Sequence, residues 1–349
     1  MISNETHTSN WILNLKRKLG KHSDAKLIEK VIWALTLLEQ LQINGLNFTF
    51  KGGTALVLAT EKPKRFSIDI DIITEHSEKE ITAVLQKIVN DKIFLSWEDD
   101  NNRKHTPDAP IGHFKVYYKS VIDGNIEPIL LDLLYTPNPY PETQEVLIKH
   151  PWLITSGDEV TITMPTFDAI LGDKLTAFAP KTTGIQYSKN RPAEIIKQLY
   201  DIAFLFDNIT DLTVVKNSYN KVVQEEIGFR KLDITAKEVL EDTWQACYTL
   251  AERNEKSEDF KQLQKGIANF TNFPIEQFRI DQAITAAAKV AYLTQLLQNE
   301  EEVTIVRFTN PLEIKDWNIE HPQYNKLNKL KKNNPEAFYY WYKALQLNK

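Results

Sequence analysis

Two aspartates alternate with apolar residues in Arg65-Phe66-Ser67-Ile68-Asp69-Ile70-Asp71-Ile72, the pattern of a strand. Arg65, Ser67, Asp69 and Asp71 then share one face, and Phe66, Ile68, Ile70 and Ile72 the other. Neighbouring same-face carboxylates have Cα atoms about 6.8 Å apart at ~3.4 Å rise per residue. Their repulsion is modest in water and grows where solvent is excluded. A divalent cation removes it, and hard oxygen donors suit Mg2+. For a lone Asp-x-Asp, a solvent-facing polar edge is the competing explanation. Several features count against that edge. Asp is depleted in strands. Gly52-Gly53-Thr54 stands just upstream and opens a short helical stretch, whose backbone N–H groups make an anion site. Asp132 interrupts the apolar run from Ile129 to Tyr135, where a carboxylate is costly unless it is paired or binds metal. Together these residues point to a phosphate cradle beside a carboxylate metal site.

Chemistry of this kind needs a sheet to carry the acids and a turn to hold the phosphate. A helix is predicted over residues 23–44, where Leu27, Ile28, Val31, Ile32, Leu35, Leu38 and Leu41 recur at helical spacing. Gly45 falls where a C-cap belongs. Strands are expected over 46–50, 65–72, 94–97, 113–119, 128–134 and 160–164, with a helix over about 77–90. After Pro165 helices dominate, over about 166–179, 192–206, 212–225, 235–252, 258–270 and 275–298. One late strand, 303–308, precedes two terminal helices. The expected organisation is therefore α+β: an α/β domain with N-terminal helices over 1–164, then a helical domain over 165–349.

Composition narrows the function. Only 11 of 349 residues are glycine, against a usual share of roughly 7%. One adjacent pair exists, Gly52-Gly53, and in so glycine-poor a chain it is not filler. The formal charge is −5 and the sequence pI about 5.9, so no global basic field advertises nucleic acid. A single cysteine, Cys247, excludes an intramolecular disulfide and a cysteine-rich zinc site. The first residues lack a signal peptide's apolar stretch, and nowhere do about 18 apolar residues run together. A cytoplasmic protein with no membrane partner is the simplest expectation. The histidines (His7, His22, His76, His105, His113, His150, His321) form no H-x-x-x-H pair. A haloacid-dehalogenase-like phosphatase would carry Thr or Val where Ile73 stands and would lack the upstream glycines.

The ordered set Lys51-Gly52-Gly53-Thr54-Ala55-Leu56, then Arg65 to Ile72, then Asp132, resembles the polymerase-beta-like nucleotidyltransferase superfamily. The Arg-x-Ser-x-Asp-x-Asp spacing is similar to the AbiEii nucleotidyltransferases of type IV toxin–antitoxin systems. Asp173-Lys174-Leu175 and Lys197-x-x-x-Asp201 match two further family motifs. The fourth commonly reads Lys-Asp-x-x-Asp, and this chain has Gln198 at its second place. The resemblance covers about residues 25–210. It implies a mixed sheet with flanking helices, followed by a mainly helical domain.

The resemblance also implies roles. Asp69, Asp71 and Asp132 would bind two Mg2+ ions, or Mn2+, for nucleotide transfer from an NTP. Gly52, Gly53 and Thr54 would hold the β- and γ-phosphates; a tight turn that merely needs glycine is compatible with this. Arg65 and Ser67 would reach the nucleotide or orient the acids, with an Arg65–Asp69 salt bridge as the alternative. Lys51 is left open. Lys174 would neutralise triphosphate charge; otherwise it is a surface partner of Asp173. Lys197 would contact the nucleotide and Asp201 would accept a proton or contact the base. The bland alternative for those two is an ordinary i,i+4 surface pair.

In related toxins the implied acceptor is RNA, notably the tRNA 3′ end, and a cognate antitoxin is implied genetically. Local basic clusters suit RNA: Lys62, Lys64 and Arg65; Lys181, Lys189, Arg191 and Lys197; Lys326, Lys329, Lys331 and Lys332. A solvated helix face explains the last cluster equally well. A non-catalytic NTP-binding regulatory module on the same fold is the alternative function.

Overall fold

A computed structural model describes residues 1–20, 23–103, 109–299 and 304–347 of the chain. His22, His105 and the start of the expected strand over 303–308 lie outside the described residues. Contacts divide the chain into two units, Met1–Thr166 with Asn272–Glu276, and Phe167–Thr271 with Gln277–Lys349. Among the described residues, no helix is long and apolar enough to cross a membrane.

The first unit runs α1 (Ser9–Leu19), α2 (Ala25–Ile43), β1 (Thr49–Lys51), α3 (Gly52–Leu58), β2 (Ile70–Ile73), α4 (Glu78–Asn90) and β3 (Ser96–Asp99). It continues with β4 (Ile111–Lys119), β5 (Ile126–Leu134), β6 (Thr143–Leu147) and β7 (Thr161–Pro165). The strands form one mixed sheet of order β3-β4-β5-β2-β1-β7-β6. β2 runs parallel to β5, β1 parallel to β7, and β1 antiparallel to β2. Alternation gives the sheet two unlike faces. Phe50, Ile70, Ile72, Leu131, Leu133, Ile162 and Met164 are almost wholly buried on one of them. Lys51, Asp71 and Asp132 occupy the intervening positions and stay half-exposed. The helix over α2 starts where Asp24 caps it, its carboxylate accepting from Lys26 N–H at 2.7 Å.

The strand expected over 65–72 is shorter than its alternation suggests, because its partner ends. β1 stops at Lys51, where the glycine turn begins, so the ladder with β2 extends only from Ile73 back to Asp71. Upstream of it the chain pairs elsewhere in the same unit: Phe66 N–H donates to Phe273 O, and Ile275 N–H to Lys64 O. β6 escaped the sequence reading because Thr143-Gln144-Glu145-Val146-Leu147 is a mostly exposed edge strand with little apolar signal.

The second unit holds α5 (Phe167–Ala177), α6 (Pro192–Asn208), α7 (Leu212–Arg230), α8 (Ala236–Glu252), α9 (Glu258–Asn269) and α10 (Ile280–Gln298). Two further helices close it, α11 (Leu330–Asn333) and α12 (Pro335–Leu347). Its core is aromatic: the Trp244 and Trp341 rings meet edge-on at 5.0 Å, and Phe206 meets Tyr340 at 5.4 Å. The described part of the expected late strand, 304–308, is not a strand. Side chains take over its backbone and its anchoring. Phe308 N–H donates to the Tyr340 hydroxyl, while the Arg307 guanidinium donates to the Phe206 and Ile209 carbonyls at the end of α6.

α5 and α7 approach so closely at Gly172 that an added Cβ would stand 2.6 Å from Tyr219 N and Val215 O. Those are backbone atoms, so whole helices would have to separate. Gly172→Ala gains about 1 kcal/mol of helix propensity and loses ~1–3 kcal/mol to overpacking. The expected net is a lower urea midpoint with unchanged m-value. Gly228→Ala on α7, where a Cβ meets nothing within 4 Å, is expected to raise the midpoint.

Candidate active site

Register across four strands assembles one row: Lys51 on β1, Asp71 on β2, Asp132 on β5 and His113 on β4. Partners in register share a sheet face, so the row is continuous. Asp71 and Asp132 are direct neighbours on parallel strands. Like charges placed so are unfavourable unless something offsets them. His113 Nδ1 lies 2.7 Å from Asp132 Oδ1. An ionised carboxylate only accepts, so Nδ1 carries the proton and donates. The Lys51 ammonium lies 5.9 Å from the centroid of the Tyr140 ring.

The glycine doublet has a specific reason in this row. Gly52 has φ +80°, and a Cβ there would overlap the Asp71 carboxylate. A Cβ on Gly53 would stand 2.5 Å from both Arg65 Nη2 and Ser67 Oγ. Both glycines thus let an acid, a guanidinium and a hydroxyl close on the turn. Arg65 is buried, and its Nη1 also donates to Phe66 O at 2.9 Å. Thr54 is buried too, and its hydroxyl donates to the Asp69 carbonyl at 2.6 Å. A phosphate oxygen needs a donor, so with that hydroxyl committed it is the Thr54 backbone N–H that a phosphate would meet.

Asp69, Asp71 and Asp132 offer carboxylate oxygens alone, the donor type Mg2+ selects. Among the described residues, no group of three His, Cys, Asp or Glu side chains is already drawn around a single point. The fit therefore rests on donor chemistry and on the Asp71–Asp132 register, with Asp69 two residues upstream, just before β2 begins.

The second unit gathers Lys174, Gln198 and Asp201 by itself. Lys174 Nζ lies 2.8 Å from Asp201 Oδ2, with their side chains 9% and 4% exposed. The partner of Lys174 is thus a buried carboxylate one helix away. Gln198 Oε1, at the place where related motifs carry an acid, accepts from the same ammonium at 3.3 Å. Lys197 donates instead to Glu194 at 2.7 Å. Asp201 turns inward, where it can hold the Lys174 ammonium in place.

Several lysines that an RNA surface would use are engaged within the chain. Lys64 pairs with Glu276, Lys181 with Asp259 and Lys326 with Glu252, while Lys331 donates to Trp317 O. Lys62, Lys329 and Lys332 are exposed. His113 is the site residue that the sequence reading missed. Its signal was the hairpin between β4 and β5, whose register pairs residues symmetrically about the connecting turn.

The sequence profile of the family described as Nucleotidyl transferase AbiEii toxin, Type IV TA system, matches residues 36–326. Among solved structures, the chain is similar to JHP933 from Helicobacter pylori at 14% identity and a TM-score of 0.42. That match covers 83% of this chain and 93% of the other. It is also similar to an antigenic nucleotidyltransferase-like protein from Paracoccidioides brasiliensis at 12% identity and a TM-score of 0.36. Here 60% of this chain and 96% of the other are covered. No curated protein matches the chain.

Lys174→Met would take the ammonium away from a buried carboxylate, at an expected cost of about 3–5 kcal/mol. Adding Asp201→Leu removes that charge and is expected to restore most of the loss. Urea midpoints of the single and double variants check this. A single variant as stable as the parent would show that the pair carries no buried charge.

Proposed function

The chain belongs to the AbiEii nucleotidyl transferase toxin family of type IV toxin–antitoxin systems, and on that premise we propose a Mg2+-dependent transfer of a nucleotide from an NTP to RNA. The proposed acceptor is the 3′ end of tRNA, and the effect a block on translation in the cytoplasm. A cognate antitoxin is its proposed genetic partner. The observation that carries the reading is the register of Asp71 with Asp132 beside the Gly52-Gly53 turn. Paired carboxylates next to a backbone turn are what phosphoryl transfer asks of a protein, since its catalysis is mostly positioning and electrostatics.

Asp69, Asp71 and Asp132 would hold Mg2+, which when bound favours the deprotonated hydroxyl and offsets charge on the leaving pyrophosphate. The chain's own residues do the rest. Backbone N–H groups of the turn receive phosphate oxygens, and the buried Arg65 guanidinium behind Gly53 favours that negative charge. His113 fixes the Asp132 carboxylate through the 2.7 Å bond. The RNA hydroxyl oxygen attacks the α-phosphorus and its proton passes to the Asp132 carboxylate. The bond from the α-phosphorus to the bridging oxygen then breaks, and pyrophosphate leaves. Lys174, held by Asp201 and Gln198, is proposed to neutralise triphosphate charge. Lys197 is proposed as a nucleotide contact.

The test is transfer of label from an α-32P NTP to total RNA. Asp71→Asn is expected to lower transfer at least ~100-fold, on the scale of a lost electrostatic catalytic group, with circular dichroism unchanged. Chelation should abolish transfer and added Mg2+ restore it. Failure of all four NTPs to label any RNA would overturn the proposal, and NTP binding without transfer would favour a regulatory module instead.

A further inference from the structure

A cavity of about 510 Å3 opens in the first unit, at the end of β1 and β2 away from the glycine turn. That volume lies within the ~300–1,000 Å3 of small-molecule sites. Thr49 and Ile73, which are register partners, help line it. Thr49 stands two residues from Lys51, and Ile73 two from Asp71. Both therefore belong to the face that carries the Lys51–Asp71–Asp132–His113 row, about 7 Å along the strands from it. Thr136 and Asn138 form part of the wall, on the chain just beyond β5 and Asp132.

The lining decides the chemistry of an occupant. Hydroxyls and amides predominate, and together they offer the donors and acceptors that base edges and ribose hydroxyls require. The Thr136 Oγ1 atom is buried with no hydrogen-bond partner among the described residues. A buried polar atom left so is costly, and a ligand's polar group would relieve it. No lysine or arginine is among the lining residues, whereas Glu75 and Glu80 are. Hydrogen bonds from Ser77, first from its hydroxyl and then from its backbone N–H, hold the Glu80 carboxyl down to about 2. Glu80 also meets the His76 ring, another lining residue, at 3.2 Å. The charged part of the wall is thus acidic with one histidine, and lacks the guanidinium or ammonium a phosphate calls for. Phe48 and Ile73 give the cavity an apolar surface for a flat ring.

We propose that this cavity is a nucleoside subsite, holding the base and ribose of a nucleotide whose reacting group lies over the Asp71–Asp132 row. It rests on the transferase reading only for the source of that nucleoside, either the NTP or the terminal nucleotide of the RNA. The test starts with free adenosine, guanosine, cytidine and uridine, each titrated into the full chain in chelator by saturation-transfer NMR. At least one is expected to bind. Thr136→Val, which keeps the side chain's shape, should weaken it about tenfold, the loss of one hydrogen bond to a buried group. Asn138→Ala, at an exposed part of the wall, should weaken it by a smaller factor. The same variants should raise KM for one substrate by a similar factor. A rise for the NTP identifies one source and a rise for RNA the other.

Absence of binding by all four nucleosides at millimolar concentration would overturn the proposal. Binding indifferent to both substitutions would do the same, provided urea midpoints show both variants folded. Nucleoside binding in a protein that transfers nothing would sink the transferase reading and leave the subsite standing. Transfer without nucleoside binding would sink the subsite alone.

Discussion

Two carboxylates stand side by side on adjacent parallel strands, and most of the first unit is organised around that juxtaposition. Asp71 and Asp132 repel each other, and the repulsion strengthens as solvent is excluded. The same row brings Lys51 to one side and the His113 N–H to the other. The glycine doublet lets the Asp71 carboxylate close on the turn and seats Arg65 behind it. The opposite face of the same strands is filled by Phe50, Ile70, Ile72, Leu131 and Leu133. A slip of one residue would bury the acids and expose that core, so the apolar face fixes the acids' position as firmly as their own contacts do.

The second unit meets a similar electrostatic problem in a drier setting. Lys174 and Asp201 are both buried, and each offsets the charge of the other. Gln198 adds an uncharged acceptor to the ammonium. An acid at that place would add a second negative charge beside Asp201, which the glutamine avoids. Elsewhere in the unit the helices close on aromatic contacts, and α5 meets α7 in a backbone approach at Gly172.

Much of this was legible, and the limits have physical causes. The alternation of Asp69 and Asp71 with isoleucines, the aspartate inside an apolar run and the lone glycine doublet are local patterns, readable without a fold. The helical character after Pro165 follows from periodicity, and the mixed sheet from the family resemblance. The extent of β2 did not follow, because a strand needs a partner and β1 ends at Lys51. Residues 304–308 read as a strand by composition, yet a tyrosine hydroxyl takes the backbone N–H of Phe308 that a ladder would have used. β6 gave little apolar signal, since an edge strand facing solvent has little to bury. Lys174 read equally well as a surface residue, because its burial depends on a helix that comes later in the chain.

The sequence by itself determined which residue types were available and which face or turn each would occupy, because alternation and glycine placement act over a few neighbouring residues. It also carried the family, through the order and spacing of short motifs. Tertiary structure alone decided which of those residues meet. Register put His113 on Asp132 and Asp71 beside Asp132, helix packing brought Asp201 to Lys174, and the strand ends left a polar cavity where the Thr136 hydroxyl has no partner among the described residues. Such pairings are set by contacts between residues far apart in the chain, whose closure depends on the whole core and on no local pattern.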